Sequence, residues 1–168
     1  AAFVLLQDEA GRHWLRRYYR HYAGIAGSDG FGFVLETPTW RASADWGRKL
    51  GFDARALANF NREAIGLLHD LREELETPDL PMVLSGNLGP RGDGYRPTFA
   101  MTAAEAARYH GEQIRALRDA GADYVSAFTL NDVEEAQGVA DAAAALKVPS
   151  VISFTVETDG RLPSGLGL

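Results

Sequence analysis

Four short runs of apolar residues divide the chain at regular intervals. They occupy residues 31–37, 81–86, 122–128 and 149–155. Each run is nearly continuous in its apolar character rather than alternating, which is typical of strands in a parallel sheet that is covered on both faces. The pattern therefore predicts four buried parallel strands.

Between these runs, apolar residues recur at the three- and four-residue spacing of amphipathic helices. The periodicity predicts helices over about 8–26, 53–75 and 103–120, and a fourth marked by Val133, Ala136, Val139, Ala143 and Leu146. Thr102 and Glu105 form a capping box before the third helix, and Asp132, with Glu135 three residues on, caps the fourth. Gly121 is placed to end the third helix in the left-handed conformation.

Helices and strands alternate along the chain, which predicts an α/β fold with parallel strands joined by helical crossovers. A doubly wound sheet and a (β/α)8 TIM barrel both fit this order. Long polar loops follow the strand C-termini, at 38–52, 87–101 and 156–168, and this favours the barrel, which binds its ligands at that end. A complete barrel takes roughly 250 residues. We therefore expect residues 1–168 to form one partial barrel domain of about four β/α units.

Composition narrows the class of protein. The chain has 168 residues, of which 46% are hydrophobic and 24% charged, and its net charge is −6. An acidic balance argues against nucleic-acid and membrane partners, and no apolar run approaches the roughly 18 residues of a membrane span. The absence of cysteine excludes disulfides and thiolate metal ligands within the chain. We expect a cytoplasmic location, and the apolar start at Ala1, without an initiator methionine, indicates a piece of a longer protein.

The histidines give no indication of a metal site. They all lie within predicted helices, and no pair shows the i, i+4 spacing of metal ligands on one helix face. His110 falls on an apolar face and is expected to be a core residue with a hydrogen-bond partner. The four are His13, His21, His69 and His110.

Small or polar residues stand where each predicted strand ends, which indicates a ring of hydrogen-bonding groups around a small polar ligand. Polar ends that simply meet solvent are the alternative. Glu36 is the only carboxylate directly at a strand end, so it can bind an amine or act as a base, unless it forms a salt bridge with Arg41 or a lysine. No catalytic residue is assigned. The predicted substrate-binding residues are Glu36, Thr37, Trp40, Ser85, Gly86, Asn87, Phe128, Thr129, Asn131 and Ser153.

Several segments closely resemble the homocysteine S-methyltransferase family. They are "TPTWRAS", "SGNLGPRGDGY", "MTAAEAARYHGEQIRALRDAGADYV", "EEAQGVADAAAAL" and "SFTVETDGRLPSGLGL". The resemblance runs from about residue 33 to the end of the chain. It implies a zinc-dependent (β/α)8 barrel that transfers a methyl group from an onium donor to the thiol of homocysteine, giving methionine. Zinc would lower the thiol pKa and so supply the thiolate nucleophile.

The chain also departs from the family pattern. The family's zinc cysteines lie in its C-terminal half, and its first strand carries Asp-Gly-Gly; neither occurs here. The resemblance therefore implies barrel strands two to five, zinc ligands outside this chain, and no activity for this piece alone. Phe128-Thr129 replaces a Glu-Thr pair, and Pro38 replaces an Asn, which puts homocysteine itself in question. The alternative is a non-catalytic or divergent barrel relative that binds another small amino-acid-like thiol, and a homo-oligomer is possible in either case.

Overall fold

The computed structural model describes residues 1–94 and 101–167. Within these ranges, every predicted strand and helix is present, with small shifts of its ends. The part of the 87–101 loop that covers residues 95–100 lies outside the described residues. A 3-10 helix, Ala2–Gln7, is followed by α1 Glu9–Ser28, β1 Phe33–Glu36, α2 Ala44–Lys49, α3 Ala54–Leu75, β2 Met82–Leu88, α4 Ala103–Asp119, β3 Tyr124–Leu130, α5 Val133–Ala145 and β4 Ser150–Phe154.

The structure differs from the sequence-based expectation at two places. The predicted loop over 38–52 contains α2, a helix of 6 residues, which is too short to show an apolar stripe of helical period. Strand β2 continues to Leu88, so Asn87 belongs to the strand and not to the loop. Polar residues near the end of a parallel strand do not stop its backbone pairing, and β2 is paired with β3 as far as Leu88.

The strands form one sheet in the order β1-β2-β3-β4, and all neighbouring strands are parallel. A doubly wound sheet reverses its strand order at a switch point, whereas this order is strictly sequential. The described sheet is therefore that of a barrel sector, as the loop lengths indicated. Strands β1 and β4 each pair along one edge only within the described residues.

Helix ends follow the predicted capping. Thr102 and Glu105 form the complete capping box of α4, and Gly121 follows that helix with a φ of 101°. Asp132 caps α5 by accepting a hydrogen bond from the backbone of Glu135 at 2.9 Å. The Glu135 side chain does not return to the cap, and its partners are described below.

The core lies between one face of the sheet and the helices. Leu35, Leu84 and Val125 on three neighbouring strands are fully buried. Helix α4 approaches the sheet at Gly86, where a Cβ would lie 3.0 Å from Leu117 Cβ. In the described ranges, no helix has the length and apolar character needed to cross a membrane.

The opposite, concave face of the sheet is only partly covered in the described structure, contrary to the prediction of strands buried on both faces. Val34, Val83 and Val151 are exposed by 46%, 42% and 51%, and Val34 and Val83 are direct neighbours on β1 and β2. The helices of a barrel lie outside its sheet, so a sector of four strands has nothing opposite its inner face. The apolar runs reflect the environment of a closed barrel.

Candidate functional site

The concave face carries a hydrogen-bonded cluster that joins three adjacent strands. Glu36 at the end of β1 is paired in register with Ser85 of β2, and its Oε1 accepts a hydrogen bond from Ser85 Oγ at 2.9 Å. Ser126 Oγ on β3 donates a second, short hydrogen bond to the same oxygen. The two serine hydroxyls lie 2.7 Å apart. Both serines are 0% exposed, so the cluster holds Glu36 Oε1 in one place.

The second carboxylate oxygen of Glu36 is open to a ligand in the described structure. Within the described residues, Glu36 forms no ion pair with Arg41 or with a lysine, and its Oε2 has no hydrogen-bond partner. Its backbone carbonyl accepts a hydrogen bond from the Tyr19 hydroxyl. Burial raises the pKa of Tyr19 above its ordinary value, with smaller contributions from Tyr18 and Glu36, so Tyr19 stays a donor. The strand end is fixed, while one carboxylate oxygen has no hydrogen-bond partner among the described residues.

Thr37 turns to the helix side of the sheet. It is 1% exposed; its hydroxyl lies 2.6 Å from that of Thr39 and accepts a hydrogen bond from Asn87 N at 2.8 Å. Gln113 on α4 donates to the Thr39 carbonyl at 2.9 Å and to Asn61 Oδ1 at 3.1 Å. These buried bonds fix the chain as it leaves β1. The Thr37 hydroxyl is engaged by Thr39 and Asn87 and does not face a ligand on the concave side.

Trp40 connects the loop after β1 to the end of β3. Its Nε1 donates to the Phe128 carbonyl at 3.3 Å. The Arg41 guanidinium lies between two indoles, with its carbon 4.8 Å from the centre of Trp40 and 4.1 Å from that of Trp46. Lys49 contacts the Trp46 ring at 4.4 Å. The tryptophans thus hold a cation of the chain itself, and the cation–π contacts order this loop.

The end of β3 is held in an unusual backbone conformation. Thr129 has a φ of 60°, which is rare for a β-branched residue and is maintained only where the surroundings enforce it. Its Oγ1 donates to the Phe128 carbonyl at 2.6 Å. Gly94 packs so closely that a Cβ there would lie 3.1 Å from Thr129 Oγ1, and Asn131 Nδ2 donates to the Asp93 carbonyl at 2.9 Å. The described part of the loop after β2, residues 89–94, is called the glycine loop below and rests on the end of β3.

The predicted residues do not form a single cluster. Glu36 and Ser85 meet on the concave face, and Ser153 shares the face of Val151 because side chains alternate along β4. Gly86 faces α4, and Asn131, 4% exposed, anchors the glycine loop. Trp40, Phe128 and Thr129 meet at the end of β3. Thr37 belongs to the buried polar network, which Asn87 joins only through its backbone N–H and carbonyl. The half-buried Asn87 side chain shares the face of Ser85 by strand alternation, and its Oδ1 has no hydrogen-bond partner in the described structure. Ser126 was missed because it interrupts the apolar run of β3 without standing at its end.

Two clefts lie outside the concave face. One, of about 520 Å³, opens between α2, α3 and α4 and contacts Asn61 and Gln113. The other, of about 510 Å³, lies between α2 and Arg91–Asp93, beside Trp46. Neither cleft includes Glu36. An open sector does not enclose its inner face, so we place the candidate site by its side chains and not by cavity size.

The described residues do not fit a metal centre. No three His, Cys, Asp or Glu side chains gather there in a way that could hold an ion, and the remaining positions, 95–100 and 168, carry none of these residue types. The three partners around Glu36 are serine hydroxyls and a tyrosine hydroxyl, which are poor ligands for zinc. This cluster suits an organic ligand with hydrogen-bond donors.

The family model of homocysteine S-methyltransferase matches residues 3–167. The chain belongs to this family. No curated protein matches it by sequence, so family membership rests on the match to the family model. The strand-end cluster and the glycine loop therefore belong to a chain of the homocysteine S-methyltransferase family.

Solved structures of a homocysteine methyltransferase, MmuM from Escherichia coli, share the fold. The metallated form is 21% identical with a TM-score of 0.81, and the match covers 99% of this chain and 59% of that chain. The oxidized form is 19% identical with a TM-score of 0.82, again over 99% of this chain and 58% of that chain. The apo form is 23% identical with a TM-score of 0.73, over 99% and 57%. The chain thus spans less than two thirds of the MmuM barrel, and the four parallel strands are part of such a barrel.

Proposed function

We propose that the protein transfers a methyl group to the thiol of homocysteine, or of a closely similar amino acid, and that Glu36 binds the ammonium group of this acceptor. The single observation that carries the proposal is the arrangement of Glu36. One carboxylate oxygen is held by Ser85 and Ser126 and the other is without a partner in the described structure. A hydrogen bond from an ammonium group to a carboxylate oxygen is charge-assisted and so roughly twice as strong as a neutral one.

The placement of Glu36 supports this assignment. It lies at the C-terminal end of a parallel strand, which is the end where barrel enzymes bind substrates. The serine bonds hold the carboxylate before the acceptor arrives, so little ordering of side chains is needed on binding. Membership of the homocysteine S-methyltransferase family supports an acceptor that carries an ammonium group, a carboxylate and a thiol.

The proposed reaction takes the methyl group from an onium donor. The acceptor thiol loses its proton to solvent, its sulfur forms a bond to the methyl carbon, and the bond from that carbon to the donor heteroatom breaks. The electron pair of the broken bond stays with the donor, which leaves as a neutral molecule, and methionine is the product when homocysteine is the acceptor. The part of this chain is to bind and orient the acceptor, because holding reactants in line accounts for much of the rate of such transfers.

In this proposal, any zinc would be bound by residues that are not in this chain. The described residues do not fit a metal, so we assign no step of the reaction to a metal on this chain. If zinc activates the thiol in the whole protein, its ligands come from residues outside these 168.

A divergent relative that binds another amino-acid-like thiol is the second candidate. Phe128 favours it, because this half-buried residue stands where the family that the chain resembles commonly has a glutamate. An apolar wall at this place would suit an acceptor with a larger or less polar chain than homocysteine.

The test supplies the protein with homocysteine and a panel of sulfonium and ammonium methyl donors, and measures methionine by mass spectrometry. A parallel titration compares the binding of homocysteine with that of the analogue lacking its amino group. We expect the analogue to bind more weakly by roughly one to two decades, because it lacks a charge-assisted hydrogen bond. Equal binding of the two would contradict the role of Glu36, and tight binding without methyl transfer from any donor would favour the non-catalytic relative.

A further inference from the structure

A buried carboxylate links the glycine loop to the helices behind it. Glu135 lies in the first turn of α5 and is 4% exposed. Its Oε1 accepts a hydrogen bond from the backbone N–H of Arg91 at 2.6 Å and lies 2.8 Å from His110 Nε2 on α4. One oxygen thus joins the loop after β2 to both α4 and α5.

The position of Glu135 in its helix makes this arrangement unusual. It is the third residue after the cap Asp132, where a glutamate ordinarily returns to the cap backbone to complete a capping box. Glu105 does this at the start of α4. At the start of α5, only the Asp132 side chain accepts a capping hydrogen bond. The Glu135 side chain points instead into the interface between α4 and α5. Its side chain is therefore not needed to start the helix.

His110 contacts Glu135 through one of its two ring nitrogens. It is 1% exposed, its Nε2 contacts Glu135, and its Nδ1 has no hydrogen-bond partner in the described structure. With Nε2 protonated, the ring donates to the carboxylate and fixes its orientation. An apolar pair of similar volume could pack this interface without burying a carboxylate. What the carboxylate adds is an acceptor for a backbone N–H in a loop that has no regular structure.

Arg91 extends the connection to the loop after β1. Its Nε donates to Asp45 Oδ2 at 2.8 Å, and its guanidinium lies 4.8 Å from the centre of the Tyr109 ring. The hydrogen bond with Asp45 raises the pKa of Arg91, so the side chain stays charged. Two residues further, the Asp93 carbonyl receives the Asn131 side chain at the end of β3. The loop is held at both positions.

We propose that Glu135, oriented by His110, is a positioning residue that fixes the glycine loop over the C-terminal ends of β2 and β3. Glu135 holds the Arg91 N–H, which places the Arg91 side chain at Asp45 and the Asp93 carbonyl at Asn131. The loop then forms a constant rim beside the site of Glu36 and Ser85. That this rim borders the acceptor site rests on the proposed function, whereas the positioning of the loop by Glu135 does not.

Hydrogen–deuterium exchange of the protein tests the loop position directly. Glu135→Ala removes the acceptor, and we expect exchange in residues 88–94 to rise by about tenfold, since local opening is set by the bonds that hold the segment. Glu134→Ala is the matched control: this exposed neighbour accepts a hydrogen bond from Ala103 N at 3.0 Å and does not reach the loop. Glu135→Gln, which keeps a carbonyl oxygen, is expected to restore most of the protection.

His110→Leu provides a second variant if Glu135→Ala does not fold. It keeps the apolar volume and the acceptor but removes the donor that orients it, so loop exchange should rise while the rest of α4 stays protected. Unchanged loop exchange in the folded variants, or an equal rise in Glu134→Ala, would overturn the proposal. A protein that shows no methyl transfer would contradict the proposed function and would leave the exchange result standing.

Discussion

Gly89 lies directly against Trp40: a Cβ at position 89 would be 2.6 Å from the Trp40 carbonyl oxygen and 2.7 Å from its indole Cε2. The loop after β2 contains glycine here because the backbone and ring of Trp40 occupy the space of a side chain. Trp40 is itself held by the Phe128 carbonyl, so it cannot easily move aside. The contact joins the loops that follow β1 and β2.

The first prediction concerns this contact. Gly89→Ala is expected to lower the free energy of unfolding by about 1–3 kcal/mol, the usual range for overpacking, as measured by denaturant unfolding. Gly66→Ala on α3 is the control, because nothing lies within 4 Å of a Cβ there. In a helix interior, this change should raise stability by about 0.5–1 kcal/mol. A neutral Gly89→Ala would show that Trp40 can move.

Local pattern was enough to predict the strands and the long helices: the strands appear as continuous apolar runs, and burial of one helix face imposes a period on the sequence. It missed α2 because Ala44–Lys49 spans fewer than two turns. It also missed Ser126, whose partners Ser85 and Glu36 are distant along the chain and meet only through the strand order β1-β2-β3. A polar residue inside an apolar run was the available signal.

The partners of Glu135 and His110 could not be predicted from local pattern, because they lie far away along the chain. Glu135 was recognised as part of a helix start, and the same residue type at the same offset does complete a capping box in α4. Whether such a glutamate returns to its cap or reaches a loop depends on which N–H lies nearby. For Glu135 that is the N–H of Arg91, a relationship of tertiary structure. His110 was correctly placed in the core from its apolar helix face, but its partner could not be inferred.

The second prediction concerns metal. A preparation limited to residues 1–168 should retain no stoichiometric zinc after dialysis, because tight zinc sites take three or four thiolate, imidazole or carboxylate ligands and no such group gathers in the described residues. Metal analysis of the dialysed protein by mass spectrometry decides the matter. Zinc at one equivalent that resists dialysis would show that a site had been overlooked.

The third prediction concerns the edges of the sheet. β1 and β4 present unpaired backbone groups in the described structure, and such edges pair readily with other chains. Residues 1–168, prepared alone, should associate or unfold without a cooperative transition, as measured by sedimentation and thermal unfolding. A monodisperse monomer that melts cooperatively would contradict this.

Charged substitutions separate edge pairing from packing between concave faces. Val151→Lys lies on edge strand β4, and Val83→Lys lies on the inner strand β2 with similar exposure, 51% and 42%. If copies pair edge to edge, Val151→Lys should reduce association more strongly than Val83→Lys, since a lysine on an edge strand opposes pairing. Equal reductions would point to contact between the concave faces.

The last prediction distinguishes Glu36 from Phe128 as the partner of an amino-acid ligand. Glu36→Gln in the protein should weaken homocysteine binding by roughly 1.5–3 kcal/mol, or about one to two decades in Kd, because it removes a charged acceptor from the ammonium group. Phe128→Ala should have a much smaller effect, since Phe128 offers only an apolar surface and its carbonyl, not its ring, holds Trp40. Isothermal titration gives both constants, with Glu73→Gln, an exposed residue of α3, as the control for a change of charge. Small and equal effects of the two site variants would show that neither residue faces the ligand, and a dominant effect of Phe128→Ala would move the site to the end of β3.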